Sequence, residues 1–277
     1  MTEARVRPSF LAGAMRVFEL SLGEMLWSRR TVFMGLVAGA PVFLALVARL
    51  VQGSGVAPLR VNGAEVGGAG VFGMMIWVFF LRFIVPVLGV FYGTSLIADE
   101  VEDRTLTYLF TRPIRRGSVL LGKYLAYLVC TALVVLPSVM LVYFLLVPFA
   151  QVPATFAALA TDLGLLAAGL AVYGAVFACV GAALKRPLVS GLVFVFGWEQ
   201  VALLVPGYLK RLTVAHYLQS LVPHAMPASG VASVLQSVLG ADRPSTAVCL
   251  LALLAVLVGG LVLAVKTVES REYVLGQ

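Results

Sequence analysis

Ala98-Asp-Glu-Val-Glu-Asp-Arg-Thr-Leu-Thr-Tyr-Leu-Phe-Thr-Arg-Pro-Ile-Arg-Arg-Gly-Ser-Val-Leu-Leu-Gly-Lys123 is a charged island between two hydrophobic runs, each longer than a bilayer needs. Working outward, apolar runs occupy about 32–51, 72–97, 124–147, 162–183, 188–206 and 247–265. Each is close to the ~20 residues that cross hydrocarbon as a helix. The whole chain is 61% hydrophobic and 12% charged, with a mean hydropathy of +1.02. Soluble domains sit near half apolar and a quarter charged, so this composition excludes them. Lipid offers the backbone no hydrogen bonds, so long apolar runs must close their own as helices. The reading is an all-α polytopic membrane protein with six transmembrane helices preceded by an N-terminal interfacial amphipathic helix.

That first helix is predicted over 9–30. Phe10, Ala14, Val17, Phe18, Leu22, Met25 and Leu26 recur at three- and four-residue steps and form one apolar stripe, with Arg16, Glu19 and Glu24 off it. Glu19 and Glu24 interrupt the stretch, which argues against a cleavable signal. Residues 1–31 then form a cytoplasmic N-terminus with its interfacial helix, 32–265 the membrane domain, and 266–277 a cytoplasmic tail. Orientation follows from Lys and Arg. Fourteen lie in the N-terminal segment, the island, the link at Lys185 and Arg186, and the tail; four, Arg60, Lys210, Arg211 and Arg243, lie in the opposite loops. Both termini and the island are therefore expected in the cytoplasm. The net charge of +7 belongs to this pattern. No basic, aromatic-interleaved domain stands outside the spans, so no nucleic-acid partner is expected.

The outer loops differ in texture. Residues 52–70 are Gly-rich, which predicts a mobile connection, and 148–161 carry no Lys or Arg. The outer loop 207–246 is semi-apolar at Leu212–Val222 and Val231–Leu239 and broken by prolines, as in short helices lying on or dipping into the outer leaflet. Cys130, Cys179 and Cys249 each fall in an apolar run without a CxxC neighbour, and read as small buried hydrophobes.

Gly117-Ser-Val-Leu-Leu-Gly122-Lys123 matches most of a phosphate-binding loop. Tyr124 stands where the magnesium-ligating hydroxyl is required, and no strand precedes the motif, so it reads as a decoy. Catalysis is weakly supported. His216 and His224 have no acidic cluster at metal spacing, and Ser229 has no recognisable base. No catalytic residue and no metal site are expected.

The island carries a surface. Asp99, Glu100, Glu102 and Asp103 lead it, Arg112 follows, and Pro113 stops it, which is the charge order a short helix favours. Leu106, Leu109 and Phe110, at i, i+3 and i+4, give that helix an apolar ridge. A ridge this apolar in water fits a docking partner, or else the protein's own first helix or the lipid surface. Two charges fall inside spans. Arg82 lies ten residues inside the outer end of the second run, about 15 Å deep at ~1.5 Å per residue. Glu199 lies seven inside the outer end of the fifth, about 10 Å deep. Those depths allow the two to pair, directly or across a dimer, and also allow each its own pocket. Gly35/Gly39 and Gly89/Gly93 have the four-residue spacing of close helix contacts.

The chain resembles the membrane subunit of an ATP-binding-cassette transporter of the type-two exporter class. Ile97-Ala-Asp-Glu-Val-Glu-Asp-Arg-Thr-Leu-Thr-Tyr-Leu-Phe-Thr-Arg-Pro-Ile-Arg-Arg116, then Gly122-Lys123, carry the resemblance, with Arg104 where that family more often has Gly. Pro206-Gly-Tyr-Leu-Lys-Arg-Leu-Thr-Val-Ala-His-Tyr-Leu-Gln-Ser-Leu221 is similar to the subgroup with the permease for copper-enzyme maturation in denitrifiers. The resemblance implies that the coupling loop 98–123 docks on a separate ATPase subunit through Glu100, Glu102, Arg104, Leu106, Tyr108, Leu109, Phe110, Arg112 and Pro113. Lys185 and Arg186 would make a second contact. Two ATPase copies would serve two permease copies, as a homodimer with the second and fifth spans at its centre. ATP and Mg would bind the partner and no cofactor this chain. It further implies a bacterial plasma (inner) membrane, contact with membrane lipid, and room for an extracytoplasmic accessory protein.

A secondary transporter or channel is the alternative. Such folds often carry inverted repeats, which would match 98–123 to 207–246, and those segments are unlike. An intramembrane enzyme lacks a convergent cluster, and a purely structural anchor stays open.

Overall fold

The computed structural model describes residues 10–53, 60–61, 64–65, 67–97, 116–204, 208–223 and 244–270. Helix α1 is Phe10–Leu26, α2 Arg29–Gly53, α3 Gly68–Ile97, α4 Arg116–Leu146 and α5 Val152–Ala183. Helix α6 runs through three successive pieces, Pro187–Val193, Phe194–Glu199 and Gln200–Leu204. A short 3₁₀ turn, Tyr208–Leu212, leads into α7, Val214–Ser220, and α8 is Thr246–Ser270. A two-residue antiparallel ladder, Arg60–Val61 against Ala64–Glu65, lies in the loop between α2 and α3. The protein is an all-α polytopic membrane protein.

Five of these helices, α2, α3, α4, α5 and α8, are long and apolar enough to cross a membrane; the apolar helix Pro187–Ala202 is shorter. Three boundaries depart from expectation. Helix α3 starts at Gly68, because its glycine-rich entry is already helical. Helix α4 starts at Arg116, because polar residues continue a helix past the hydrocarbon edge that hydropathy detects. Helix α5 starts at Val152, with a proline in the first turn where its missing N–H costs nothing. Asp162 is thus a buried interior residue of α5, not its entry.

Helix α5 is the hub. Gly89 and Gly93 of α3 face it: a Cβ at Gly89 would come within 2.7 Å of Tyr173 Cβ, and one at Gly93 within 2.8 Å of Phe177 Cβ. This is the close approach that four-residue glycine spacing permits. A Cβ at Gly35 or Gly39 of α2 would meet nothing within 4 Å among the described residues, so the same spacing makes no close helix approach there among them. On its other sides α5 receives Tyr124 and Tyr127 of α4, whose hydroxyls donate to the Ala171 and Leu170 carbonyls at 2.7 and 2.8 Å. Gly260 of α8 packs on Ala175. Cys130 and Cys249 are buried and Cys179 half-buried, all as free thiols.

The stripe predicted on α1 is largely its packed side. Ala14 is buried, as are Gly13 and Ser21 beside it. The contact is with the start of α4, where Ser118 Oγ donates to the Phe10 carbonyl at 2.8 Å. A Cβ at Gly122 would press on the Ala14 carbonyl and Val17. Gly117 and Gly122 therefore sit within a continuous helix as packing positions, not in a phosphate-cradling loop. Leu11 and Met15 of α1 remain exposed on a second apolar face.

Candidate functional site

Of the docking residues expected from sequence, Glu100, Glu102, Arg104, Leu106, Tyr108, Leu109, Phe110, Arg112 and Pro113 lie outside the described residues. Lys185 and Arg186 are described, and both are exposed in the tight turn between α5 and α6. Their place in the bundle is informative. A Cβ on Gly181, just before the turn, would meet the backbone of Thr94, near the end of α3. Gly117 at the start of α4 faces Phe10, Val265 and Glu269. The Lys185–Arg186 turn thus emerges at the same end of the bundle as Ile97 and Arg116, the two described residues that bracket the island.

The second candidate lies in the apolar interior. Arg82 is at the midpoint of α3, within a π-helical segment, Ile76–Ile84. In a π-helix, hydrogen bonds run i to i+5 and residues five apart come onto one face. That brings Trp77 beneath Arg82, whose guanidinium carbon is 5.4 Å from the indole centroid. The guanidinium reaches α6 through Nε and Nη2, which donate to Gln200 Oε1 at 2.9 and 2.5 Å. An arginine at a bilayer centre costs about 2.5–3.5 kcal/mol on insertion scales, so it is kept where protein or water receives it.

Glu199 is oriented away from Arg82. It is 1% exposed, and Tyr173 of α5 donates its hydroxyl to Oε2 at 2.6 Å. Oε1 has no hydrogen bond of normal geometry among the described residues. The backbone N–H groups of Val214 and Ala215, at the start of α7, face the carboxylate. These are helix N-terminal donors with no partner within their own helix, where negative charge is stabilised. The pairing of Arg82 with Glu199 weighed from sequence is replaced within the chain by two separate contacts, Arg82–Gln200 and Glu199–Tyr173.

Glu199 thus faces the start of α7, which packs into the bundle. Thr213 caps α7 by accepting from the His216 N–H at 3.3 Å. Leu218 of α7 packs beside Gly169 of α5, as does Val85 of α3. Of the two semi-apolar stretches, Leu212–Val222 contains α7, packed against α5; Val231–Leu239, His224 and Ser229 lie outside the described residues. His216 is buried in this packing, and among the described residues no three His, Cys, Asp or Glu side chains group as a metal site.

The polar partners Gln200, Tyr173 and Trp77 were missed from sequence. A glutamine next to an intramembrane glutamate is a signal that could have found the first. Arg49 of α2 donates to the Leu145 carbonyl at 3.1 Å, at the C-terminus of α4 where carbonyls lack helical partners.

The described residues form a multi-pass helical membrane bundle with an exposed basic turn at Lys185–Arg186 and polar contacts at Arg82 and Glu199 inside it. Residues 12–271 match the family model for the ABC-2 family transporter protein, and the chain belongs to that family. It is thereby an ABC permease component, distinct from the ATPase, and its family implies a partner ATPase subunit. The comparison with curated proteins returns no match.

Proposed function

We propose that this chain is the membrane-spanning permease subunit of an ATP-driven exporter, coupling hydrolysis by a separate ATPase to substrate translocation. The family match over residues 12–271, which includes the island, carries this reading. Support also comes from the exposed Lys185–Arg186 turn, at the end of the bundle where Ile97 and Arg116 bracket the island. The island is the coupling element and the basic turn a second foot on the same ATPase. ATP and Mg bind there, not to this chain. Helix α6 completes six spans, and two copies assemble with two ATPases in a bacterial inner membrane, both termini cytoplasmic. Helices α3 and α6 line the centre, a reading supported by exposed Phe83 and Phe196, whose rings meet across the two helices. The likeness of Pro206–Leu221 to copper-enzyme-maturation permeases belongs to the same reading, and an outer accessory protein would meet that segment.

Co-purification tests it. The full chain should bring down its cognate ATPase, and Leu109→Asp with Phe110→Asp should release it while the membrane protein still elutes as a folded species. Retention of the ATPase by that double variant would remove the docking assignment.

A further inference from the structure

We infer that Arg82, held by Gln200 and framed by Trp77, Val78, Phe83 and Phe196, is a binding site for an amphiphile that joins an anionic group to an acyl or aryl body. The inference rests on the reading that α3 and α6 line the central path. Among the described residues the guanidinium meets no acidic side chain. Its polar contact is a neutral amide and its other neighbour an indole ring, while the adjacent acid, Glu199, is committed to Tyr173. Nε and Nη2 share one acceptor, so a donor-rich fork keeps capacity for a carboxylate, phosphate or sulfate. Arg82 itself is only partly buried. A partly exposed cation at the middle of a membrane helix cannot face acyl chains cheaply, so this face meets a water-filled path or a second copy.

The surroundings set the rest of the ligand. Val78, four residues before Arg82, and Phe83, next to it, are exposed, as is Phe196, four residues before Gln200 on α6, and the Phe83 and Phe196 rings lie 6.2 Å apart across the α3–α6 joint. A bare inorganic anion would leave that surface wet, whereas an acyl or aryl body covers it. Charge complementarity excludes cationic amphiphiles, which would bring like charge to an arginine.

Tryptophan quenching tests this. In a Trp27→Phe, Trp198→Phe background Trp77 is the sole remaining tryptophan. The full chain, in nanodiscs of zwitterionic phosphatidylcholine, is titrated with 9,10-dibromostearate and with the matching dibrominated amine. The carboxylate probe should show a saturable phase above bilayer partitioning, and the amine only partitioning. Arg82→Gln should weaken the saturable phase by about tenfold or more, the loss expected for one charge-assisted contact. Arg82→Lys should retain most of it. Unchanged elution and unliganded emission show that both variants fold. Displacement by dodecanoate assigns the anion to a free acid and displacement by phosphatidylglycerol to a lipid headgroup, and either supports the site. Equal quenching by both probes, an intact phase in Arg82→Gln, or displacement by inorganic phosphate alone overturns it. A chain that binds the probe but captures no ATPase sinks the permease reading and leaves the site; one that captures the ATPase without binding the probe sinks only the site.

Discussion

Glu199 and Gln200 are neighbours in α6 that hold different parts of the bundle. Glu199 turns inward, accepts the Tyr173 hydroxyl and faces the first amides of α7. Gln200 turns sideways and accepts from Arg82 of α3. The first link joins α6 to the hub and is buried; the second joins α6 to α3 at a partly exposed surface. A cation bonded to an amide is held less tightly than one paired with a carboxylate in the same surroundings. The α3–α6 joint can therefore open without separating opposite charges.

A double-mutant cycle should register that division. Arg82→Leu and Gln200→Leu should couple by about 1–3 kcal/mol, as expected for a hydrogen bond to a charged group. Arg82→Leu with Glu199→Leu should be additive to within about 0.5 kcal/mol. Thermal unfolding of the purified chain in one detergent reads all of the variants. Strong coupling between positions 82 and 199 would restore the ion pair that the sequence allowed.

Removing the Tyr173 hydroxyl isolates the other link. Tyr173→Phe keeps the ring stacked on Phe177, 6.1 Å away between centroids, and removes the hydroxyl that donates to the buried Glu199 carboxylate. The cost should be about 1–3 kcal/mol. Glu199→Gln in the Tyr173→Phe background should recover part of it, because a neutral amide is cheaper to bury than an ion. An unchanged melting temperature in Tyr173→Phe would mean that Tyr173 does not hold the carboxylate.

The positions of the long helices were legible because an apolar run of bilayer length has few other uses. Their ends were not, because hydropathy marks the hydrocarbon and not the helix: Arg116–Lys123 is polar enough to look like loop, yet it is helical and packed on α1. Arg82 and Glu199 stood out as charges among apolar neighbours. Their partners did not, because Gln200 and Tyr173 are neutral and lie 118 and 26 residues away along the chain. Glycine spacing was legible as a motif but not as a contact, since Gly35/Gly39 and Gly89/Gly93 look alike and, among the described residues, only the second pair closely meets a helix. The island's docking surface was read from charge order and the spacing of Leu106, Leu109 and Phe110, and it lies outside the described residues.

The two glycine pairs should separate cleanly under substitution. Gly89→Val or Gly93→Val drives new methyls into Tyr173 or Phe177, at contact distances no packed side chain adopts. Overpacking of this kind costs about 1–3 kcal/mol, and should lower the melting temperature and the yield of monodisperse protein. Gly35→Ala and Gly39→Ala meet nothing within 4 Å and should change neither. A loss of stability at Gly35 or Gly39 equal to that at Gly89 would point to a partner helix from another copy on that face.

Charge reversal at the basic turn should affect assembly and spare the fold. Lys185 and Arg186 are exposed, and the helix that precedes them is held from within by Thr94 packed against Gly181. Lys185→Glu with Arg186→Glu should therefore leave the melting temperature of the isolated chain unchanged. Exposed ion pairs contribute about 0.2–1 kcal/mol each. Losing two attractions and adding repulsion should reduce ATPase recovered by co-purification by roughly tenfold at low ionic strength, with the difference shrinking as salt screens the contact. If recovery is unaltered at every salt concentration, the turn is not a foot on the ATPase, and the coupling contact rests on the island alone.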